Sequence, residues 1–297
     1  MRVLLTGANG QLGRALQASC PQDCQFVARG RDALDIADAA AVAAALAGEA
    51  FEAVINAAAY TNVEGAERAS AEAFRINGAA PGLLAKACAE HGVHLVHVST
   101  DFVFDGAKKM PYTIEDEPRP LNVYGASKLE GEQRVLSTLP YGACVVRTSW
   151  LHGAHGTNFV TKVLQRMKTA DTLQVVTDEV GSPTAAGSLA PALWRCATQR
   201  IAGMHHWRDA GTANRYEFAS EIARHAHERG LIDRLPRILT ARVADFPSVV
   251  RRPAYSVLDS KTTRQTLGID APQWQDGLAL TLKDLTEEPR ASCPAVC

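Results

Sequence analysis

The sequence has no excess of charge of either sign and no long apolar run. Its 31 lysines and arginines balance 32 aspartates and glutamates, and no basic block stands out, so the charge pattern of a nucleic-acid-binding protein is absent. The apolar start Val3–Leu5 stops at Thr6 and Gly7, which is too short for a signal peptide or a membrane span. We therefore expect a cytoplasmic protein that partners neither nucleic acid nor membrane.

The sequence also lacks a regular cysteine framework. Its seven cysteines are odd in number and irregularly spaced, which favours reduced thiols over disulfides. Cys293 and Cys297 could be read as a metal or redox motif, but we expect residues 289–297 to form a disordered tail, because the last predicted helix ends near Glu288. Metal-ligand spacing is equally absent from the histidines at positions 91, 94, 97, 205, 206, 225 and 227. We expect no metal site.

The first half of the chain alternates short apolar runs with alanine-rich amphipathic stretches, a pattern typical of βαβ units. The predicted strands are Val3–Thr6, Gln25–Ala28, Ala53–Asn56, His94–Val98 and Ala143–Arg147. They are apolar on both faces, as buried parallel strands must be when helices cover the sheet on both sides. The predicted helices include Ala39–Ala47 and Pro81–His91. The sequence therefore predicts an α/β fold with a doubly wound, Rossmann-type parallel sheet.

After Trp150 this rhythm loosens, which predicts a smaller α+β lobe that binds the substrate. We expect residues 1–147 to form a dinucleotide-binding domain, to which segments near 172–200 and 240–258 return. The segments assigned to the substrate-binding lobe are 148–171, 201–239 and 259–288.

A glycine-rich stretch, VLLTGANGQLG, directly follows the first strand. Its three glycines let the turn tighten, so that backbone N–H groups can approach a pyrophosphate at the N-terminus of the next helix. A plain glycine-rich turn is the alternative, but the position at the start of a βαβ array favours a dinucleotide site. The candidate cofactor contacts in this stretch are Gly7, Gly10, Gln11, Leu12 and Gly13.

The adenosine end of the cofactor should lie near the end of the second strand. Arg29 and Arg31 could bind a 2′-phosphate there, which favours NADPH, with NADH still possible. The alternative is that both arginines are exposed loop residues and that Asp32 binds the ribose. The other candidate cofactor contacts are Asp35, Ile36, Ala57, Ala58 and Ala59.

The stretch NVYGASKLEGE places Tyr124 and Lys128 on one face of a predicted helix. Both side chains can then point at a reacting carbonyl and at the cofactor beside it, so both are also candidate cofactor contacts. A free tyrosine has a pKa near 10, and lowering it by about 3 units requires roughly 4 kcal/mol, which a nearby ammonium and an oxidised nicotinamide could supply. We predict that Tyr124 is the general acid in a hydride-transfer reaction.

The stretch HVSTDFVFDG ends the fourth strand with Thr100 and Asp101 at the carboxyl edge of the sheet, where open α/β sheets bind their ligands. Thr100 can donate a hydrogen bond to the same carbonyl oxygen. Without the Tyr-Lys pair, these two residues could simply cap a turn.

Six stretches carry a resemblance to a known family: GANGQLG, NAAAYTNV, STDFVFDG, PLNVYGASKLEGE, RTSWLHG and VGSPT. From residue 1 to about 285 the chain resembles the dTDP-4-dehydrorhamnose reductases, which are extended short-chain dehydrogenases/reductases. The resemblance implies NAD(P)H-dependent reduction of the 4-keto group of dTDP-4-dehydro-L-rhamnose, the last step to dTDP-L-rhamnose. It implies catalytic roles for Thr100, Tyr124 and Lys128. The substrate contacts are expected to be Thr100, Asp101, Tyr124, Trp150, Asn158 and Arg252.

Several alternatives stay open. Trp150 could be a core aromatic residue, and Arg252 could form a surface ion pair. The chain could also be a related nucleotide-sugar reductase or epimerase, or a regulatory subunit that binds a dinucleotide without catalysis. Some relatives dimerise through magnesium held by carboxylates, one of them on the first helix. The sequence from Gln11 to Ala15 contains no acid, so we expect a monomer or homodimer without a metal bridge.

Overall fold

The computed structural model describes residues 1–287. The predicted tail, with Cys293 and Cys297, lies outside the described residues. The strands of the described part are β1 (Arg2–Thr6), β2 (Gln25–Arg29), β3 (Ala53–Asn56), β4 (His94–Thr100), β5 (Ala143–Thr148), β6 (Leu151–His152), β7 (Thr172–Val176), β8 (Val180–Gly181), β9 (Thr184–Ala185), β10 (Gly203–His206), β11 (Ala213–Asn214) and β12 (Arg237–Ala241). The five predicted strands are confirmed, and four of them extend by one or two residues.

Helices alternate with these strands. They are α1 (Gln11–Ala18), α2 (Ala39–Ala47), α3 (Val63–Arg68), α4 (Ser70–Phe74), α5 (Ala80–His91), α6 (Val123–Thr138), α7 (Phe159–Met167), α8 (Ala186–Thr198), α9 (Arg215–Glu228), α10 (Lys261–Leu267) and α11 (Trp274–Glu287). A π-helix at Arg75–Ala79 joins α4 to α5. No helix within residues 1–287 is both long enough and apolar enough to cross a membrane.

Six strands form one parallel sheet in the order β10-β5-β4-β3-β1-β2. The chain reverses its direction of travel across the sheet between β1 and β3. Ligands of open α/β sheets bind beside the carboxyl ends of strands at such a switch point. A ligand is therefore expected to bind beside the loops that follow Thr6 and Asn56.

Helices cover both faces of this sheet. On one face, Leu12 of α1 and Leu193 of α8 pack against Val3 and Leu5, and the Trp194 indole N–H donates to the Leu16 carbonyl at 2.9 Å. On the other face, side chains of α2, α5 and α6 pack against the strands, among them Leu46, Leu84 and Val135. These two buried layers confirm the predicted doubly wound, Rossmann-type α/β fold.

A second core lies among α7, α9 and α11. Its centre is Phe218, which is fully buried and stacks on Phe159 with 5.3 Å between the ring centroids. The pair β7 and β12 packs on the same core through Leu173.

Two segments depart from the predicted division of the chain. β7 was assigned to the dinucleotide-binding part, but it pairs with β12 beside the second core. β10 was assigned to the second lobe, but it extends the central sheet beside β5. These short strands carry no local signal of their partner, because pairing is decided by long-range packing. The rest of the division stays a prediction.

Candidate active site

A cavity of about 1280 Å³ opens at the carboxyl edge of the central sheet. Its lining residues come from the loops after β1, β3, β4 and β5 and from the segments around α7 and α9. Most predicted site residues line it: Gly7, Gly10, Gln11, Leu12, Arg31, Asp35, Ile36, Ala57, Ala58, Ala59, Thr100, Asp101, Tyr124, Lys128, Trp150, Asn158 and Arg252. Gly13 and Arg29 are the two predicted site residues that do not line it.

The glycine loop closes one end of this cavity. Gly7 has φ +68°, and a Cβ there would lie 2.6 Å from the Ala57 carbonyl carbon, so the loops after β1 and β3 touch through backbone alone. Gly10 precedes α1 without a side-chain cap, and the first turn of α1 contains no acid. The N–H groups of that turn are therefore available to an anion.

Gly13 does not line the cavity, and its role is to allow close packing of the backbone. A Cβ at this position would lie 2.3 Å from the Gly7 carbonyl oxygen. The third glycine thus lets α1 pack closely under the loop, and the prediction that it contacts the cofactor is not supported by its position.

The two arginines at the end of β2 point in different directions. Arg29 does not reach the cavity, because its guanidinium lies 3.6 Å from the Glu49 carboxylate. Arg31 lines the cavity, and its side chain is 74% exposed at 3.6 Å from Glu72. Asp32 lines the cavity as well. Of the two predicted arginines, Arg31 lines the cavity and Arg29 does not, and the contact of Arg31 with a 2′-phosphate stays a prediction.

Tyr124 lies at the start of α6, because Asn122 caps this helix by accepting a hydrogen bond from the Gly125 N–H at 2.8 Å. Thr100, the last residue of β4, hydrogen-bonds to the tyrosine hydroxyl, and this bond lowers the pKa of Tyr124. Burial has the larger effect and raises that pKa to about 12, with a smaller raising contribution from Asp101. The phenol is therefore protonated at neutral pH, as a proton donor must be.

Lys128 is 2% exposed, and its ammonium donates to the Val98 carbonyl at 2.6 Å. Burial lowers the pKa of Lys128 to about 8, opposed by Glu132 one turn further along α6. In the protein without ligands this ammonium bonds to the strand backbone, and Lys128 is not among the causes of the Tyr124 shift. The expectation that the ammonium lowers the tyrosine pKa together with an oxidised nicotinamide stays a prediction.

Glu132 is itself buried in a two-point ion pair with Arg147 of β5. The guanidinium nitrogens lie 2.9 and 2.6 Å from the two carboxylate oxygens. A paired buried charge of this kind is costly to separate, so the pair holds α6 firmly against β5 and keeps Lys128 in its place.

The remaining predicted substrate residues, Trp150, Asn158 and Arg252, also line the cavity. Asn158 caps α7 through its carboxamide oxygen and donates to Gly153 and Gln11 at 2.8 and 3.1 Å. Arg252 forms an ion pair with Glu64, from a segment far away in sequence. Trp150 lines the cavity and also packs against the second core, and its contact with the substrate stays a prediction.

Two lining residues, Glu179 and Arg215, were not predicted. The Arg215 guanidinium lies over the Trp150 ring, 3.5 Å from its centroid, and its Nε lies 3.3 Å from a Glu179 oxygen. Neither residue belongs to a recognisable motif, and only the fold brings them together, so the sequence carries no signal for this contact.

Within the described residues no group of three or more histidine, cysteine or acidic side chains could hold a metal ion. The possible acid on the first helix is also absent, since α1 reads QLGRALQA.

The comparison with known proteins matches residues 1–287 to the RmlD substrate binding domain family. A curated dTDP-4-dehydrorhamnose reductase from Sinorhizobium fredii is 37% identical over 283 residues, which are 93% of this chain and 95% of the relative. The chain belongs to the RmlD substrate binding domain family. The resemblance inferred from the sequence motifs is thereby confirmed.

Two further relatives bear on substrate and cofactor. A probable dTDP-4,6-dihydroxy-2-methyloxan-3-one 4-ketoreductase from Streptomyces antibioticus is 39% identical over 291 residues, 96% of each chain. A crystal structure of dTDP-4-dehydrorhamnose reductase from Bacillus anthracis in complex with NADP superimposes with a TM-score of 0.89. It is 32% identical and covers 95% of this chain and 99% of its own.

Proposed function

We propose that this member of the RmlD family reduces the 4-keto group of dTDP-4-dehydro-L-rhamnose to give dTDP-L-rhamnose, with NADPH as the reductant. The observation that carries the proposal is the end-to-end similarity to dTDP-4-dehydrorhamnose reductases in a chain whose Thr100, Tyr124 and Lys128 line one cavity. The NADP bound to the Bacillus anthracis relative supports the choice of cofactor.

The residues at the glycine-loop end fit a dinucleotide. The uncapped first turn of α1 suits its pyrophosphate, and the alanines after β3 leave room beside the loop. Arg31 is the side chain that can reach a 2′-phosphate. When bound, NADPH supplies the hydride for the carbonyl carbon.

Tyr124 donates its hydroxyl proton to the carbonyl oxygen, which becomes the 4-hydroxyl of the product. Its high pKa keeps that proton available at neutral pH. Thr100 donates a hydrogen bond to the same oxygen and stabilises the charge that develops there. Lys128 keeps a positive charge beside the tyrosinate left by the transfer, and solvent returns the proton.

A second candidate function is reduction of a different dTDP-linked keto sugar. It is favoured by the Streptomyces antibioticus relative, which is named as a 4-ketoreductase of another sugar. The two functions share the reaction and the catalytic residues and differ only in the sugar that the second lobe accepts. Cytoplasmic location and the choice between monomer and homodimer also stay predictions.

The test is a coupled assay with purified dTDP-4-dehydro-6-deoxyglucose, a 3,5-epimerase and NADPH. We expect NADPH oxidation only when the epimerase is present, with dTDP-L-rhamnose as the product. Oxidation without the epimerase would favour the second candidate function. Oxidation with GDP- or UDP-linked keto sugars at the same rate would contradict the proposed substrate, and no oxidation with any of them would contradict the proposed enzyme.

A further inference from the structure

Arg215 lines the cavity with its guanidinium beside two aromatic rings. Its guanidinium carbon lies 3.5 Å from the Trp150 ring centroid and 4.9 Å from the Phe159 ring centroid. Trp150 has φ +45°, and its indole also contacts Gly181, where a Cβ would lie 2.4 Å from the ring. The N–H groups of a guanidinium lie in its plane, so Arg215 donates hydrogen bonds from its edges while its face packs on Trp150.

One of those edges is already occupied. The Arg215 Nε lies 3.3 Å from a Glu179 oxygen, and the two side chains are only 15% and 10% exposed. This pairing leaves the edge formed by the two Nη groups for a ligand in the cavity that both residues line. Because Glu179 balances the charge of Arg215, the pair suits neutral acceptors such as hydroxyls better than a diphosphate.

The position of Arg215 also places it near the reacting end. Both Arg215 and Asp101 line the cavity. Burial lowers the pKa of Arg215, opposed first by Glu179 and then by the Asp101 carboxylate. Asp101 accepts a hydrogen bond from Thr100 at 3.1 Å, and Thr100 contacts Tyr124. A sugar whose carbonyl faces Tyr124 would therefore have its ring between Thr100 and Arg215.

We propose that Arg215 is a specificity-determining residue that donates two parallel hydrogen bonds from its Nη edge to neighbouring hydroxyls of the hexose ring. The pocket then selects a keto sugar that carries this diol over one that lacks it. Glu179 and Trp150 hold the guanidinium in the plane that this contact requires. The inference rests on the proposed function, since it assumes a hexose in this part of the cavity.

The test compares binding of dTDP and of dTDP-L-rhamnose to the full chain by calorimetry in the presence of NADPH, because the reduced cofactor and the alcohol product cannot react with each other. Arg215→Met keeps an unbranched apolar side chain that can still pack on Trp150, but it removes the guanidinium donors. We expect it to weaken dTDP-L-rhamnose binding by about 10- to 100-fold, the range of hydrogen bonds to a charged group, and dTDP binding by less than about two-fold. Arg224→Met is the matched control, because Arg224 lies on the outer face of α9 in ion pairs with Glu221 and Glu228, and it should change neither affinity.

If Arg215→Met weakens the binding of dTDP and of dTDP-L-rhamnose equally, the proposal is overturned in favour of a diphosphate contact. If the affinities for both ligands are unchanged, Arg215 contributes only to packing and the proposal is also overturned. Should Arg215→Met fail to fold, Arg215→Lys answers the same question, because it keeps the charge beside Glu179 but loses the paired donors, and we expect at least about five-fold weaker binding of dTDP-L-rhamnose alone. Both ligands can be titrated without turnover, so the binding experiment does not depend on catalytic activity. The coupled assay tests the proposed function separately: absence of keto-sugar reduction by the unmodified protein would contradict that function and not the role of Arg215 in binding.

Discussion

At the scale of single residues, burial raises the pKa of Tyr124 to about 12 and outweighs the lowering effect of its hydrogen bond with Thr100, so the phenol keeps its proton at neutral pH. We predict that Tyr124→Phe lowers kcat by about 100-fold or more, the range expected for loss of a general acid. NADPH affinity, measured by fluorescence titration, should stay within about two-fold of the unmodified protein. Near-normal kcat in this variant would contradict the assignment of Tyr124 as the proton donor.

The choice between NADPH and NADH also belongs to single side chains. Arg31 lines the cavity, whereas Arg29 turns toward Glu49, so the two arginines form a matched pair of test positions. A guanidinium contact to the 2′-phosphate contributes about 1.5–3 kcal/mol. Arg31→Ala should therefore lower the ratio of kcat/KM for NADPH to that for NADH by about ten-fold or more, and Arg29→Ala should leave the ratio unchanged.

High salt should weaken the NADPH preference as well, because Arg31 is exposed and its charge is screened. A preference for NADH in the unmodified protein would show that Asp32, which also lines the cavity, decides the cofactor by repelling the phosphate.

At the scale of elements, α6 can approach the π-helix only because Gly131 has no side chain. A Cβ there would lie 2.1 Å from the Asn77 carbonyl oxygen. We predict that Gly131→Ala lowers the free energy of unfolding by about 1–3 kcal/mol, as overpacking does. It should also lower kcat, since α6 carries Tyr124 and Lys128. Urea denaturation and steady-state assays measure both effects.

Gly187 is the matched control for this helix contact. It lies in α8, where an added Cβ meets no atom within 4 Å, so Gly187→Ala should leave activity unchanged and stabilise the protein by up to about 1 kcal/mol. Equal stability of the Gly131→Ala variant and the unmodified protein would show that α6 can move without cost.

At the scale of the whole molecule, buried titratable groups govern how stability depends on pH. Burial lowers the pKa of His94 to about 4 and those of His152 and His206 to about 3. The unfolded chain therefore binds more protons below the ordinary histidine pKa of 6.5, and stability falls as the pH drops through that value. Burial raises the pKa of Asp101 to about 6 and that of Asp209 to about 7. These acids act in the opposite sense, since their contribution is present at low pH and lost as the pH rises through their folded pKa values.

Two variants separate these opposing effects. At pH 5 each buried imidazole costs up to about 2 kcal/mol, so His206→Gln should lose less stability than the unmodified protein between pH 7 and pH 5. Asp209→Asn should lose more, because the carboxyl that favours the folded state at low pH is gone. Chemical denaturation across this pH range measures both slopes, and equal slopes in all three proteins would contradict this account.

The sequence by itself determined the features that depend on neighbouring residues. The apolar runs located all five strands of the first half, the three glycines predicted the tight turn between β1 and α1, and the Tyr-Lys spacing predicted that Tyr124 and Lys128 share one helix face of α6. Each of these signals lies within one turn or one strand, where backbone geometry and side-chain type are directly coupled.

Tertiary structure alone decided the features that depend on distant partners. The Arg29 side chain lies near the Glu49 carboxylate and outside the cavity. The Lys128 ammonium donates a hydrogen bond to the Val98 carbonyl. Arg215 contacts Glu179 and Trp150, which come from separate segments of the chain. β10 likewise joined the central sheet through pairing with β5. A side chain's direction and a short strand's partner depend on burial and on charges supplied by remote parts of the chain, and local sequence does not contain that information.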